Sequence, residues 1–276
     1  VDPRPAPPRG RPDVPGARMT YLDSLFGLDG STAVVTGATS GLGAASAVAL
    51  AQAGARVVVS GRDRERGERV VAKIADSGAP VAAELELADV SDAEQAVELA
   101  ERVLERHGPV DILVNAAGVF ARGDATALSL DEWERVARTN VTSTFLLCQR
   151  FGGPMIERGR GKIVNFSSTD GFLGVPEQLA YNVSKGAIVQ LTRTLGAEWI
   201  RHGVNVNAVA PCDFATPMIA PFLDTEEYRD WILDAIPAGR VGQPDEIVGA
   251  VLFLASRASD MVAGHNLLVD GGRTVI

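Results

Sequence analysis

Short apolar runs rich in β-branched residues alternate with longer helical segments from Thr32 onward. Most of these runs are continuously apolar, which is typical of strands buried on both faces of a parallel sheet. Parallel strands require long crossover connections, and the intervening helical segments supply them. The sequence therefore predicts an α/β fold, a doubly wound parallel sheet of about seven strands with helices on both faces. The predicted strands are 33–36, 56–60, 81–87, 110–115, 162–166, 204–209 and 265–269, and the predicted helices are 43–52, 64–76, 92–106, 130–151, 181–201 and 244–255.

A glycine-rich loop, Thr36 to Gly43, follows the first predicted strand and leads into a helix. Glycines permit a tight turn and let backbone N–H groups approach a pyrophosphate at a helix N-terminus, where the helix dipole favours negative charge. The spacing is GxxxGxG rather than the more familiar GxGxxG. Its place in a βαβ unit predicts a Rossmann-type dinucleotide site that includes Gly37, Thr39, Ser40, Gly41, Leu42 and Gly43.

The end of the second predicted strand indicates which nicotinamide cofactor fits. A carboxylate here would bind the ribose 2′-hydroxyl of NAD, whereas an arginine accommodates the 2′-phosphate of NADP. Gly61 stands where the carboxylate is expected, and Arg62 follows it. Asp63 is most simply the N-cap of the next helix, although a shifted loop would bring it to the ribose. The sequence therefore favours NADP(H), with NAD(H) as the alternative.

The acidic composition limits the partners of the chain. The 276 residues carry a formal net charge of −9, which argues against nucleic acid or an anionic membrane as the main partner. No apolar run approaches the roughly 20 residues of a membrane-spanning helix and no secretory signal pattern is present, so we expect a cytoplasmic protein. The two cysteines and three histidines are scattered, so neither a disulfide framework nor a metal site is expected.

Tyr181 and Lys185 are four residues apart at the start of an apolar helical run. On a helix this spacing places both side chains on one face. A free phenol has a pKa of about 10, and a nearby ammonium lowers that pKa by favouring the phenolate. The pair could therefore transfer a proton near neutral pH. The same spacing also suits an exposed helix face, so the assignment needs further support.

That support comes from a resemblance to the short-chain dehydrogenase/reductase family, which covers essentially all of Leu22 to Gly272. Several motifs occur in the family's order, and the interval of 13 positions between Ser168 and Tyr181 is the usual one. One departure is Ala116, where the family has a second asparagine. The motifs are the glycine loop, Asp89-Val90, Asn115-Ala116-Ala117-Gly118, the set Asn140, Ser168, Tyr181 and Lys185, and Pro211-Cys212-Asp213-Phe214-Ala215-Thr216.

The resemblance implies catalytic roles for four residues. Ser168 would polarise a substrate carbonyl and Tyr181 would transfer the proton. Lys185 would bind the nicotinamide ribose and lower the Tyr181 pKa, while Asn140 would hold a water that links Lys185 to solvent. Besides the glycine loop and Arg62, the residues implied for the cofactor are Asp89, Val90, Asn115, Ala117, Gly118, Tyr181, Lys185, Pro211 and Thr216.

Cys212 replaces a glycine in the segment that holds the nicotinamide carboxamide in the family. Cysteine disfavours positive φ. The exchange therefore leaves open whether the backbone keeps its usual torsions and how the nicotinamide is seated. The thiol would narrow the pocket, make the enzyme sensitive to oxidation, or be a small side chain that is tolerated.

The substrate pocket is less strongly indicated. Residues 214–240 carry aromatic and aliphatic side chains among acidic ones, and we expect them to form a lid of two short helices. Acidic and polar groups beside an aromatic wall suit a polyol or a sugar acid. They disfavour an anionic substrate unless Arg240 or another basic group neutralises it. The candidate substrate residues are Asp170, Phe172, Glu177, Cys212, Phe214 and Trp231.

The chain as a whole is similar to gluconate and related sugar-acid dehydrogenases of the family, and nearly as much to its 3-oxoacyl-thioester reductases. We expect an NADP(H)-dependent oxidoreductase that interconverts a secondary alcohol and a ketone on a sugar acid, polyol or similar small compound. A 3-oxoacyl-thioester reductase is the alternative, and a cofactor-sensing protein without catalysis is the alternative from another class. The resemblance also implies a homotetramer or a dimer.

The first 18 residues differ from the rest of the chain. They contain six prolines and four arginines, a composition that cannot form a core, and we expect them to be disordered. The whole chain is 46% hydrophobic, which is ample for a packed core. Residues 19–276 are therefore expected to form a single dinucleotide-binding catalytic domain.

Overall fold

The computed structural model describes residues 20–276, and these contain a seven-stranded parallel sheet. The strands are β1 (Thr32–Thr36), β2 (Arg56–Gly61), β3 (Glu84–Leu87), β4 (Ile112–Asn115), β5 (Gly161–Phe166), β6 (Val204–Pro211) and β7 (Asn266–Val269). Their order is β3-β2-β1-β4-β5-β6-β7, with each neighbouring pair parallel. The predicted fold class is confirmed, with its topological switch point between β1 and β4. The tail predicted for residues 1–18 lies outside the described residues.

Both faces of the sheet are buried, because alternate strand residues enter two different hydrophobic clusters. Ala33 and Val35 of β1 pack in one cluster and Val34 packs in the other, and all three are fully buried. The consecutive valines of β2 divide between the two clusters in the same way. The continuously apolar runs of the sequence follow from this two-sided burial.

Helices cover both faces, and several begin at a side-chain cap. Asp63, Asp92 and Ser129 each accept a hydrogen bond from a backbone N–H group in the first turn of the following helix. The α-helices are α1 (Tyr21–Phe26), α2 (Gly41–Gln52), α3 (Arg64–Asp76), α4 (Ala93–His107), α5 (Leu130–Ala137), α6 (Ser143–Arg158), α7 (Leu179–Trp199), α8 (Ala220–Leu223), α9 (Glu226–Ala235) and α10 (Val248–Ala255).

The single helix predicted over 130–151 is wrong in two respects. A π-helical turn, Arg138–Thr142, separates α5 from α6 and contains Asn140. Moreover, α6 runs on through Gly152 and Pro154, which usually interrupt helices. A Cβ on Gly152 would lie 2.5 Å from the indole ring of Trp199. Close packing against α7 therefore requires glycine here and outweighs its low helix propensity.

Two further boundaries bear on the site. β3 is shorter than the predicted strand 81–87 because its pairing with β2 begins at Glu84, and residues 81–83 after Pro80 are irregular. α7 begins at Leu179, so Tyr181 lies within its first turn rather than at its first residue. The other predicted strands agree with the observed ones to within two residues.

The segment predicted to form a lid contains α8 and α9. Tyr228, Ile232 and Ile236 form a small buried cluster against Cys212 and Phe222. The segment therefore packs onto the loop that follows β6, while its function as a lid stays a prediction.

Helices α6 and α7 carry exposed apolar side chains. Phe145 of α6 is 45% exposed and Val183 of α7 is 46% exposed. The homotetramer or dimer stays a prediction. None of the helices between residues 20 and 276 has the length and apolar character needed to cross a membrane.

Candidate active site

The glycine loop lies at the carboxyl end of β1 and forms the floor of a cleft. Gly37 and Gly41 have φ angles of 64° and 55°, in the left-handed region that favours glycine. A Cβ on Gly37 would also lie 2.6 Å from the backbone of Ala117. Ser40, the N-cap of α2, makes no side-chain capping hydrogen bond, so the first N–H groups of α2 are left for a ligand in the cleft. This cradle fits the pyrophosphate of a dinucleotide.

Arginine side chains line the end of the cleft at β2. Arg62 and Arg66 both border it, and Arg62 Nη1 lies 3.5 Å from Asp89 Oδ2. Asp63 is turned away, because its carboxylate caps α3 through Arg66 N at 2.9 Å and pairs with Arg66 Nε at 2.6 Å. The carboxylate that would favour NAD is thus engaged as the N-cap, as the sequence indicated.

The predicted cofactor residues line the cleft with one exception. Asn115 is buried, and its Nδ2 donates to Asn165 Oδ1 at 2.9 Å and to Cys148 Sγ at 3.4 Å. Its side chain therefore joins β4 to β5 and does not face the cleft. The predicted residues that line the cleft are Gly37, Thr39, Ser40, Gly41, Leu42, Gly43, Arg62, Asp89, Val90, Ala117, Gly118, Tyr181, Lys185, Pro211 and Thr216.

Tyr181 lies where this cleft meets a second cavity, and it lines both. Lys185 is one turn further along α7, with Nζ at 5.6 Å from the centroid of the Tyr181 ring. The Lys185 ammonium donates a hydrogen bond to Phe166 O at 2.8 Å and is buried. The phenol and the ammonium therefore share one helix face, as their spacing predicts, but that face is directed into the protein.

Ser168 follows β5 and lines the second cavity beside Tyr181. Its hydroxyl oxygen accepts a hydrogen bond from Asp170 N at 3.1 Å. The neighbouring Ser167 hydroxyl instead donates to Val209 O at 3.1 Å, between β5 and β6. Of these two serines, Ser168 is the one placed to reach a substrate.

Asn140 has its amide group engaged at both ends. Its Nδ2 donates to Val119 O and to Ser184 Oγ, both at 3.0 Å, and its Oδ1 accepts from Val119 N at 2.8 Å. A Cβ on Gly118 would lie 3.5 Å from Asn140 Oδ1 and 3.7 Å from Lys185 Nζ, so glycine keeps the space between them open. Asn140 ties α7 to the loop after β4, and the water implied between Asn140 and Lys185 stays a prediction.

Burial shifts the pKa of both central groups. It raises the pKa of Tyr181, Asp170 adds to the rise, and a hydrogen bond with Ser168 opposes it. Burial lowers the pKa of Lys185 to about 8, and Asp170 opposes that change. The expected lowering of the Tyr181 pKa is therefore corrected, because desolvation of the phenolate outweighs an ammonium 5.6 Å from the ring. Near pH 7 the phenol of Tyr181 therefore carries its proton.

Four of the six predicted substrate residues line the second cavity. Phe172 is not among the lining residues and is 41% exposed. Glu177 also lies outside the lining, since its carboxylate pairs with Arg122 Nη2 at 2.7 Å on the surface. The four that line the cavity are Asp170, Cys212, Phe214 and Trp231.

Sequence reasoning missed Gln178, Asp213 and Arg273 as side chains of this cavity. Arg273 Nη1 lies 2.5 Å from Asp213 Oδ2, and its Nη2 lies 3.6 Å from Asp170 Oδ1. The two carboxylates and the guanidinium come from the loops after β5, β6 and β7, so no sequence spacing connects them. Asp213 belongs to the motif Pro211 to Thr216, but the sequence predicted no role for its side chain.

Burial is also the largest influence on the pKa values of the two carboxyl groups in this cavity. It raises the pKa of Asp170 to about 6 and raises the pKa of Asp213, while Arg273 acts in the opposite direction on both. Arg240, considered earlier as a neutralising group, does not line the cavity and pairs with Glu246 at 2.6 Å on the surface. Among the described residues, the basic side chain that lines this cavity is that of Arg273.

Cys212 lines the cavity without backbone strain, since it is not among the residues with positive φ. Burial raises the pKa of its thiol to about 12, with Asp213 acting in the same direction. The thiol is therefore protonated near neutral pH, which lowers its reactivity. Cys212 therefore needs no backbone torsion of the kind that favours glycine, while its effect on the seating of the nicotinamide stays a prediction.

The chain is similar to several known proteins. A family model described as enoyl-(acyl carrier protein) reductase matches residues 37–274. Galactitol 2-dehydrogenase (L-tagatose-forming) of Cereibacter sphaeroides is 43% identical over 91% of this chain and 98% of its own length. Gluconate 5-dehydrogenase of Gluconobacter oxydans is 40% identical over 93% and 99%. A crystal structure of a gluconate 5-dehydrogenase from Burkholderia cenocepacia in complex with NADP and tartrate has a TM-score of 0.88 and 38% identity, covering 93% of this chain and 100% of that one.

The chain belongs to the short-chain dehydrogenase/reductase family. It is an oxidoreductase of the kind that acts on CH–OH groups, and the family predicted from its motifs is confirmed. Two of these relatives are named as dehydrogenases of gluconate and of galactitol.

The raised pKa of Asp170 predicts a pH-dependent stability. Its folded value of about 6 lies above the unfolded value of about 3.9. Between these values the folded chain binds more protons, so the contribution of Asp170 to stability is lost as pH rises through this window. Asp170→Asn cannot ionise. The free energy of unfolding of Asp170→Asn minus that of the parent should therefore increase by roughly 1–3 kcal/mol between pH 4 and pH 7.

Urea unfolding of both proteins at each pH measures this difference. A difference that stays constant or falls with pH would contradict the assignment. Comparing the two proteins at each pH cancels the titration of the carboxylates they share.

Proposed function

We propose that this protein is an NADP(H)-dependent oxidoreductase that interconverts a secondary alcohol and a ketone on a sugar acid, polyol or similar small hydroxy or keto compound. The observation that carries the proposal is the position of Tyr181, which borders both the dinucleotide cleft and the second cavity. A substrate in that cavity would present its carbonyl to Tyr181 and Ser168 while facing the cleft. The relatives named above support the compound class.

The residues have chemistry that suits this reaction. When bound, the nicotinamide supplies or accepts the hydride. In the reducing direction the Ser168 hydroxyl donates a hydrogen bond to the carbonyl oxygen, and Tyr181 gives its phenol proton to that oxygen as the C–H bond forms. In the oxidising direction Tyr181 takes the proton of the alcohol. Lys185 keeps a positive charge beside this exchange and, through its bond to Phe166 O, fixes the position of α7.

The preference for NADP(H) over NAD(H) is proposed from the end of the cleft. Arg62 borders it with a side chain that is 68% exposed, whereas the Asp63 carboxylate is engaged by Arg66. A guanidinium binds a 2′-phosphate through charge-assisted hydrogen bonds. The NADP in the Burkholderia crystal structure supports the same choice.

The residues of the second cavity give less support to a 3-oxoacyl-thioester reductase or to a cofactor-sensing protein without catalysis. A 3-oxoacyl thioester would place an apolar acyl chain against the buried carboxylates of Asp170 and Asp213, at a cost in desolvation. A cofactor-sensing protein without catalysis would need neither Ser168 in the cavity nor Tyr181 between the two spaces.

Replacing Tyr181 with phenylalanine tests the proton-transfer role. The ring packs edge to face against Phe120 at 5.0 Å, so Tyr181→Phe should keep its packing and bind NADPH. Loss of the proton donor should lower kcat/KM by roughly 10²- to 10⁴-fold. Steady-state NADPH absorbance measures the effect. Tyr21→Phe, at a site 77% exposed on α1, is the matched control and should turn over as the parent does.

Turnover by Tyr181→Phe within about threefold of the parent would contradict the role. Loss of NADPH binding in the same variant would show that the phenol acts on the cofactor instead.

Replacing Arg62 with leucine tests the cofactor preference. The parent should bind NADPH at least about tenfold more tightly than NADH, because the guanidinium and the phosphate form charge-assisted hydrogen bonds. Arg62→Leu should remove most of that difference, as measured by fluorescence titration of both cofactors. Arg64→Leu is the control, because Arg64 pairs with Glu68 on the outer face of α3. Equal affinities in the parent would overturn the preference.

A further inference from the structure

The cavity beside Tyr181 carries a net negative charge from buried side chains. Asp170 and Asp213 contribute two carboxylates that are 11% and 16% exposed, and Arg273 contributes one guanidinium that is 5% exposed. Among the described residues that line this cavity, Arg273 is the only lysine or arginine. When both carboxylates are ionised, the three side chains therefore sum to one negative charge.

The positive charge of Arg273 is already satisfied within the protein. Its guanidinium lies between Asp213 at 2.5 Å and Asp170 at 3.6 Å, and 5.4 Å from the ring centroid of Trp231. A substrate carboxylate would have to displace Asp213 or become a third carboxylate around one guanidinium. Either arrangement buries like charges together, which is unfavourable. Lys185 offers no substitute, because it lies on the cleft side and is bonded to Phe166 O.

The cavity also has a surplus of hydrogen-bond acceptors. Gln178 is 4% exposed and lines the cavity, and its Oε1 has no hydrogen-bond partner among the described residues. Buried acceptors are normally paired, and a hydroxyl group in the cavity would supply the missing donor after a small movement of the Gln178 side chain. Together with Asp170 and Asp213 it would receive O–H groups. A polyol carries O–H donors along its chain, whereas a carboxylate end only accepts.

We propose that the Asp170–Arg273–Asp213 cluster, with Gln178, makes this site select an uncharged polyol and its ketose over the sugar acid of the same configuration. The inference rests on the proposed function and narrows its substrate class. The carboxylates and Gln178 Oε1 accept from substrate hydroxyls beyond the reacting carbon. Trp231 adds an apolar surface for the C–H face of the carbon chain.

A matched substrate series tests the selection in the unmodified enzyme. Alditols of four to six carbons are each compared with the aldonate of the same configuration, with NADP as oxidant and absorbance of NADPH as the readout. The kcat/KM of the preferred alditol should exceed that of its aldonate by at least about tenfold. Equal or faster turnover of the aldonate overturns this inference and leaves the proposed function in place. No turnover of either series, with NADPH still bound, overturns both.

Variants then test whether the cluster causes the selection. Asp213→Asn keeps a hydrogen-bond acceptor but frees the charge of Arg273, so the alditol-to-aldonate ratio of kcat/KM should fall by at least about tenfold. Asp170→Asn leaves the Asp213–Arg273 pair intact and should shift the ratio in the same direction. Asp245→Asn, the same exchange at an exposed residue outside the cavity, should leave the ratio unchanged. Folded Asp213→Asn and Asp170→Asn enzymes with the parental ratio would overturn the role of the cluster.

Discussion

The hydrogen bond from the buried ammonium of Lys185 to the carbonyl of Phe166 is the interaction on which the geometry of the site depends. A buried ammonium needs a partner, and this one lies at 2.8 Å, where β5 ends. The bond holds the first turns of α7 against the carboxyl edge of the sheet, while Asn140 holds the same helix through Ser184. Tyr181 lies one turn before Lys185 and borders both the cleft and the second cavity.

The parallel sheet explains why two spaces meet at this point. The carboxyl ends of all seven strands lie along one edge. Residues after β1, β2, β3, β4 and β6 line the cleft, and residues after β5, β6 and β7 form most of the lining of the second cavity. Arg273 connects that second group of loops, because its guanidinium bridges Asp170 and Asp213. The charge of the second cavity is therefore set by three loops that are distant in sequence.

The features that the sequence predicted well are those that depend on near neighbours. The strands, the glycine loop, the N-cap at Asp63 and the shared helix face of Tyr181 and Lys185 follow from runs and short spacings. The pKa of Tyr181 depends on burial by the whole fold, so spacing alone indicated the wrong direction. The role of Arg273 could not be predicted from the sequence, because only the tertiary fold brings Asp170 and Asp213 next to it. The interruption at Arg138–Thr142 and the passage of α6 through Pro154 depend likewise on packing between helices.

The central claim is that hydride passes between a substrate carbinol carbon and the cofactor at Tyr181. The most direct measurement supplies an alditol or aldonate deuterated at its carbinol carbons, together with NADP, and analyses the reduced cofactor by mass spectrometry. Each NADPH formed should carry one deuterium, with a matching amount of ketone product. Ketone formed while the NADPH remains unlabelled would contradict direct transfer, and reduced cofactor without ketone would contradict the alcohol as its source.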